Sequence, residues 1–311
     1  MIKYCMKRIL MAVATTIVII IILFLLLQLM PGSPFNNERL TKEQTATLNA
    51  KYGLDKPVPE QILIYIKNML TGDYGVSYAI QQNYPVSSLL ANKYPTTIRI
   101  AIQAFVIGVF FGLILGIMAA LKHNSIIDTG TTVFSMVGSS VPSHVLALAF
   151  AYFLAFKLKW FPLVYNSDSP VLSSILPSLA LAITPMAMTA RFTRNEMIEV
   201  MSSEYILLAE AKGMQRLRVI IVHGLKNTLV PLITTMGPML LMLLTGSTVV
   251  EQIFAIPGIG SLFITAIQTN DYNVVVTLAF IFSAMYIGVI LLIDILYGVI
   301  DPRIRLSGGG K

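Results

Sequence analysis

Six stretches of the chain are almost wholly apolar: Ile9–Met30, Ile98–Leu121, Thr132–Phe156, Val171–Thr189, Thr228–Val250 and Val274–Ile300. A helix rises 1.5 Å per residue, so roughly 20 such residues cross the hydrocarbon of a bilayer. Each stretch predicts a membrane-spanning helix. The pattern changes in two places. Between the first and second stretches, "PEQILIYIKNML" sets Ile62, Tyr65, Ile66 and Met69 at helical spacing, and "TGDYGVSY" follows with turn glycines. That predicts a small ordered region rather than a loose loop. Between the fourth and fifth stretches, the polar segment Ala190–Asn227 contains "YILLAEAKG", Tyr205 to Gly213.

This second segment predicts a helix of about ten residues, roughly 15 Å long. Ser202 is the expected N-cap, Glu204 stands in the first turn, and Lys212 precedes Gly213 as the stop, so the charges oppose the helix dipole at both ends. Tyr205, Leu208, Ala209 and Lys212 share one face, while Ile206 and Leu207 make the other side apolar too. Two readings fit that surface. The helix either lies flat in the lipid interface, or rests one side on the span ends and offers Ile206 or Leu208 to a partner's groove.

Composition supports a polytopic membrane protein. Hydrophobic residues make up 56% of 311 positions and charged residues 12%, with a mean hydropathy of +0.76, whereas soluble domains carry about 25% charged residues. The net charge of +7 therefore reports orientation, not nucleic acid. With the N-terminus inside, thirteen Lys and Arg fall in the cytoplasmic segments and eight outside, six of those eight in the long loop, where charge counts for little. Both termini are thus expected in the cytoplasm; Lys157 and Lys159 oppose the rule. The first apolar stretch is too long for a signal peptide and is expected to remain as an anchor. Cys5 is the single cysteine, which leaves neither a disulfide framework nor a thiolate cluster. With three histidines and no clustered carboxylates within the spans, nothing resembles a metal site or an activated nucleophile. Glu196, Glu199, Glu204 and Glu210 interleave with arginines, as helical i,i+4 pairing would arrange.

Tyr205, Ala209, Ala211, Lys212, Gly213, His223, Lys226, Asn227 and Pro231 resemble, in type and spacing, the cytoplasmic signature of permease subunits of bacterial ABC importers, in the variant of oligopeptide, dipeptide and nickel uptake systems. The general signature reads Glu-Ala-Ala, three residues, Gly, nine residues, Ile-x-Leu-Pro. Aligned on Gly213, this chain has Leu207, Leu208 and Ala209 at the first positions, and His223 and Lys226 at the terminal Ile and Pro. Five further stretches are similar to the B-type oligopeptide permease, in the same order: "MPGSPF", "YGLDKP", "GDYGVSY", "GSTVVEQIFAIPGIG" and "DILYGVIDPRIRL". The resemblance implies an all-α fold of six transmembrane helices, the type I (MetI-like) importer transmembrane domain, with a small ordered extracellular region after the first span. It implies an anchor over residues 1–30, an extracellular region over 31–93, the permease domain over 94–301 with a coupling helix near 202–213, and a cytoplasmic tail over 302–311. The implied role is half of an oligopeptide path in a bacterial cell membrane. The implied partners are a second, homologous permease, two cytoplasmic ATPases that use ATP and Mg, and a lipid-anchored extracellular peptide-binding protein. No cofactor is expected on this chain. Tyr205, Ile206, Leu208, Ala209, Glu210, Ala211, Lys212 and Gly213 would form the coupling helix; Glu251, Phe254, Pro257, Gly258 and Gly260 would close the outer end or meet the binding protein, with a structural re-entrant turn as the alternative.

The chain has no G-x-x-x-x-G-K-[ST] loop, so energy must come from another polypeptide or from an ion gradient. An ion-coupled carrier would draw on His144, near the middle of the third span, and Asp294, near the cytoplasmic end of the sixth. Each has a simpler structural reading, His144 packed between helices with one hydrogen bond and Asp294 reaching water or Arg303. Pro142, Pro177, Pro185, Pro231 and Pro238 are expected to interrupt the third, fourth and fifth spans. Gly108, Gly112 and Gly116 form a face suited to close helix contact.

Overall fold

The computed structural model describes residues 2–29, 50 and 55–300, all helical apart from turns and one isolated bridge. The expectations for "MPGSPF", "YGLDKP" to Leu54, Arg303 and the tail lie outside the described residues. The chain divides into two compact units, Met1–Pro95 with Pro257–Gly288, and Thr96–Ile256 with Val289–Lys311. In chain order the helices are α1 (Ile2–Leu29), α2 (Val58–Thr71), α3 (Val86–Leu121), α4 (Ile126–Ser140), α5 (Ser143–Phe150), α6 (Pro170–Met201), α7 (Glu204–Ala211), α8 (Lys226–Leu244), α9 (Thr248–Ile253), α10 (Ile259–Gln268) and α11 (Tyr272–Ile300). Two π-helical stretches, Ala151–Lys157 and Val219–Leu225, continue α5 and lead into α8.

Among the described residues, four helical stretches are long and apolar enough to cross a membrane: Val86–Leu121, Pro170–Met201, Thr235–Ile253 and Tyr272–Ile290. They coincide with the second, fourth, fifth and sixth expected spans. The first falls on α1, whose apolar stretch Val13–Leu26 is shorter. The third is not one straight helix: α4 and the α5 continuation meet at 99° and count as a fifth span only if the bent pair is taken together. The break sits at Val141 and Pro142, both in extended backbone. Proline disfavours helical geometry in the residue before it and offers no N–H to close the turn. Pro177 and Pro185 nevertheless lie inside a continuous α6, and Pro231 and Pro238 inside α8, so of the five prolines Pro142 alone interrupts a helix.

In the first unit, Ile20 and Phe24 of α1 and Met69 of α2 join Tyr78, Val86, Leu89, Ile259, Leu262, Val274, Val275 and Leu278 in one apolar core. The helix expected around Ile62–Met69 is α2, with Ile62 and Ile66 packed against that core. It ends at Gly72, in left-handed backbone. A pinned turn follows. Asp271 is fully buried, and its Oδ2 accepts hydrogen bonds from Ser77 Oγ at 2.5 Å and from the backbone N–H groups of Tyr78, Ala79 and Ile80 at 3.0, 3.1 and 3.2 Å. Successive amides turned toward one acceptor make an anion-holding nest, here filled by the protein's own carboxylate. Beside it Asn273 Nδ2 donates to Val76 O at 2.8 Å. Asp271 is presented by the end of α10, where Asn270 takes φ 55° and the N–H groups of Asn270 and Asp271 return to Ile267 O and Ala266 O. This is a Schellman closure with Asn in the left-handed position.

In the second unit, α6 is the buried helix. Leu176, Ala180, Ala182, Ala187, Ala190, Thr193 and Met197 are all inaccessible. The glycine face on α3 meets it as expected: a Cβ added to Gly108, Gly112 or Gly116 would stand 2.8, 2.7 or 2.6 Å from the carbonyl oxygens of Ala182, Met186 and Ala190. Backbone touches backbone along three turns. A Cβ added to Gly138 of α4 would likewise stand 2.9 Å from the Cβ of Ala187. Lipid gives apolar helices no hydrophobic reason to associate, so this fit supplies the packing energy.

Two expected outcomes follow from these contacts. Gly112→Ala should destabilise the protein by about 1–3 kcal/mol, since both neighbours are backbone or branched Cβ, whereas Gly130→Ala in α4, facing nothing within 4 Å, should be neutral or stabilising; melting temperatures of the purified protein in detergent compare the two. Asp271→Ala leaves buried donors without their acceptor, at a cost on the order of 1–3 kcal/mol, and limited proteolysis should then cut between Gly72 and Pro85 faster than in the unaltered protein.

Candidate functional site

The segment around "YILLAEAKG" folds as α7, Glu204–Ala211. Its start differs from expectation by one residue. Ser203, not Ser202, holds the N-cap position, and its hydroxyl donates to Val200 O at 2.5 Å instead of capping α7. Ser202 caps the end of α6, its N–H bonded to Ile198 O and Glu199 O. The stop is as expected. Lys212 is the C-cap, Gly213 takes φ +75°, and the N–H groups of Gly213 and Met214 return to Glu210 O and Ala209 O. A Cβ at Gly213 would touch nothing within 4 Å, so the glycine is required by its left-handed backbone and not by space.

The faces of α7 separate differently from the sequence expectation. Ile206 is 1% exposed and Ala209 6%, packed with Val219 and against Met201 and Met214 of the same chain. Ile206 is thus an internal anchor and is unavailable to a partner. Tyr205, Leu207 and Leu208 stand 43, 69 and 57% exposed, flanked by exposed Glu204, Glu210, Ala211 and Lys212. An eight-residue helix with two side chains seated inward and three large ones outward presents an apolar ridge on a charged rim.

At the other candidate, α9 carries Glu251 in its first turn. Glu251 is buried, not set on an outer surface, and Thr97 Oγ1 donates to its Oε1 at 2.9 Å. Phe254 is 1% exposed, and its carbonyl accepts from Tyr165 N at 2.8 Å. Ala255 follows in left-handed backbone at φ 51°, with the N–H groups of Ala255 and Ile256 returning to Gln252 O and Glu251 O. A non-glycine residue there costs about 1–2 kcal/mol, and the closure turns Ile256 into the core. The side chains of Glu251 and Phe254 are therefore structural within this unit and not an exposed docking surface. In the other unit, Gly258 is the extended residue before α10 and Gly260 is buried in its first turn, with Pro257 half-buried ahead of them.

His144 is exposed in the first turn of α5, two residues past the bend, and not packed between helices at mid-span. Asp294 lies in α11, with its side chain outside the described residues. The sequence reading missed one constellation. Asp128, in the first turn of α4, is buried, and its carboxylate takes Arg194 of α6 in a two-pronged ion pair, Nε on Oδ1 and Nη2 on Oδ2. Asn124 N donates to Oδ2 at 2.9 Å and His123 Nδ1 lies 3.0 Å from it. Arg194 thus pairs across helices with an aspartate instead of along its own helix with Glu196 or Glu199. Local i,i+4 spacing gave no hint of a partner 66 residues away.

Known proteins are similar to this chain along nearly its whole length. Residues 1–101 match the binding-protein-dependent transport system membrane component N-terminal family, and residues 112–306 match the binding-protein-dependent transport system inner membrane component family. The chain is 39% identical to the dipeptide transport system permease protein DppB of Lactococcus lactis subsp. cremoris, and 38% identical to the oligopeptide transport system permease protein OppB of Salmonella typhimurium, in each case over 98% of this chain and 100% of the relative. A crystal structure of an amino acid ABC transporter with histidines shares the fold at 17% identity, with a TM-score of 0.53 over 68% of this chain and 94% of that one. With the family matched from end to end, the chain belongs to the binding-protein-dependent transport system inner membrane components, as a multi-pass permease subunit and not an enzyme.

Proposed function

We propose that the chain is one of two unlike permease subunits of an ATP-driven importer of short peptides, oligopeptides foremost, and that α7 is its coupling helix. The ridge of Tyr205, Leu207 and Leu208 carries this reading, because Ile206 and Ala209 hold the helix to its own chain while the ridge is left outward. Apolar anchors on a rigid helix fit a groove on another protein. In this reading both termini lie in the cytoplasm, residues 94–301 form the permease domain behind an N-terminal anchor and an extracellular region, and the groove belongs to one of two ATPases that consume ATP and Mg. A second, homologous permease completes the path, and an extracellular, lipid-anchored binding protein delivers the peptide. The peptide class rests on relatives named for dipeptide and oligopeptide transport at nearly equal identity. ATP-driven closure of the ATPases draws the coupling helices together and shifts the spans between two states whose populations the nucleotide sets.

Leu208→Glu tests the docking directly. The substitution leaves the Ile206 and Ala209 seat intact, so membrane levels should stay normal while binding-protein-stimulated ATP hydrolysis by the reconstituted importer falls at least tenfold, about 1.4 kcal/mol of lost contact. Normal stimulated hydrolysis would remove α7 as the docking element. Ile206→Glu should instead deplete folded protein, because it puts a charge into the helix's own seat.

A further inference from the structure

The ion pair between Arg194 and Asp128 has no part in the docking surface, yet its position links that surface to the bent third span. Arg194 lies two turns before the end of α6. Between α6 and α7 stand only Ser202 and Ser203, and backbone hydrogen bonds persist through both, from Ser202 N to Ile198 O and from Ser203 N to Val200 O. Met201 of α6 packs on the Ile206, Ala209 and Val219 cluster. Any displacement of α7 is therefore delivered to the end of α6. From there it must pass to α4, whose far end is the 99° bend at Val141 and Pro142.

The α4 face turned to α6 is close-packed, but its small residues form no hydrogen bond to that helix among the described residues. The face consists of Thr131, Ser135 and Gly138, and the buried Ser135 hydroxyl makes no hydrogen bond. Small side chains give close contact but no hydrogen-bonded fix on orientation. Among the described residues, the directional link between the two helices is the Arg194 fork on Asp128. Asp128 is itself fixed in the turn by Asn124 N and His123, with Ser125 as the N-cap. A planar guanidinium held at two atoms fixes orientation as well as distance.

We propose that Arg194 and Asp128 are positioning residues for transport: they pin α4 to α6, so that motion entering at α7 carries the bent α4–α5 span with it. This rests on the coupling-helix reading of α7. Without the pin, α6 moves and α4 lags, and ATP is hydrolysed with little peptide moved.

The test uses the complete importer in proteoliposomes, in a Cys5→Ser background. Spin labels on Ile126→Cys of α4 and Arg191→Cys of α6, both exposed, should report one distance that is unchanged between nucleotide-free and ATP-bound states. In Arg194→Gln or Asp128→Asn that distance should broaden and change with nucleotide. Trialanine moved per ATP should fall at least tenfold in each variant, with the ATPase still co-purifying, and the charge exchange Arg194→Asp with Asp128→Arg should recover most of the loss. Arg194→Lys, which keeps the charge but loses the fork, should be intermediate and serves if the other variants fold poorly. A label distance that changes with nucleotide in the unaltered pair, or unchanged transport per ATP in Arg194→Gln, overturns the pin. So does a loss that only tracks folded protein and is not recovered by the exchange. Failure of the docking reading shows separately, as normal hydrolysis in Leu208→Glu.

Discussion

Everything in the second unit depends on how closely α3 and α6 approach. The carbonyls of Ala182, Met186 and Ala190 stand where the missing side chains of Gly108, Gly112 and Gly116 would be. Such contact is possible only with glycine on one side, and it matters because hydrocarbon on the outside is as good a neighbour for leucine as another helix is. Shape, repeated every fourth residue, replaces the hydrophobic drive of a soluble core. The same logic explains the alanines, serines and threonines that fill the buried side of α6.

A helix held this firmly transmits force. At one end α6 runs almost without interruption into α7, and α7 keeps its register because Ile206 and Ala209 are seated and Gly213 closes the last turn. Helix ends across the molecule use the same closure, with Gly72, Gly213, Ala255 or Asn270 in the left-handed position. Each consumes orphan carbonyls and sends the chain off at a fixed angle. Two of the four are not glycine, and both lie at the turns around α9 and α10, where exit direction outweighs local ease.

The spans, α2 and α7 were legible because each is a local pattern: an apolar run long enough to cross, or a helical period with a stop. What the pattern lacked was direction. Ile206 and Leu208 are both strongly apolar, and the packing of Met201, Met214 and Val219 from outside the helix decides which of them is inside. The prolines were similarly mute, since Pro142 breaks its helix while Pro177, Pro185, Pro231 and Pro238 do not, and the difference lies in the surroundings. Buried carboxylates were the least visible. Asp128 finds Arg194 across 66 residues and Asp271 finds Ser77 across 194, and no window of sequence contains both partners.

The long reach of Asp271 has a consequence for how the protein is made. The turn at Ser77–Ile80 leaves the ribosome 194 residues before the carboxylate that organises it. At about 5–20 residues per second, that interval is on the order of 10–40 s. Throughout it the three amides must be hydrated, which water permits and hydrocarbon does not. The turn therefore sets only after Asp271 emerges, and the end of α10 fastens one of the first-made segments.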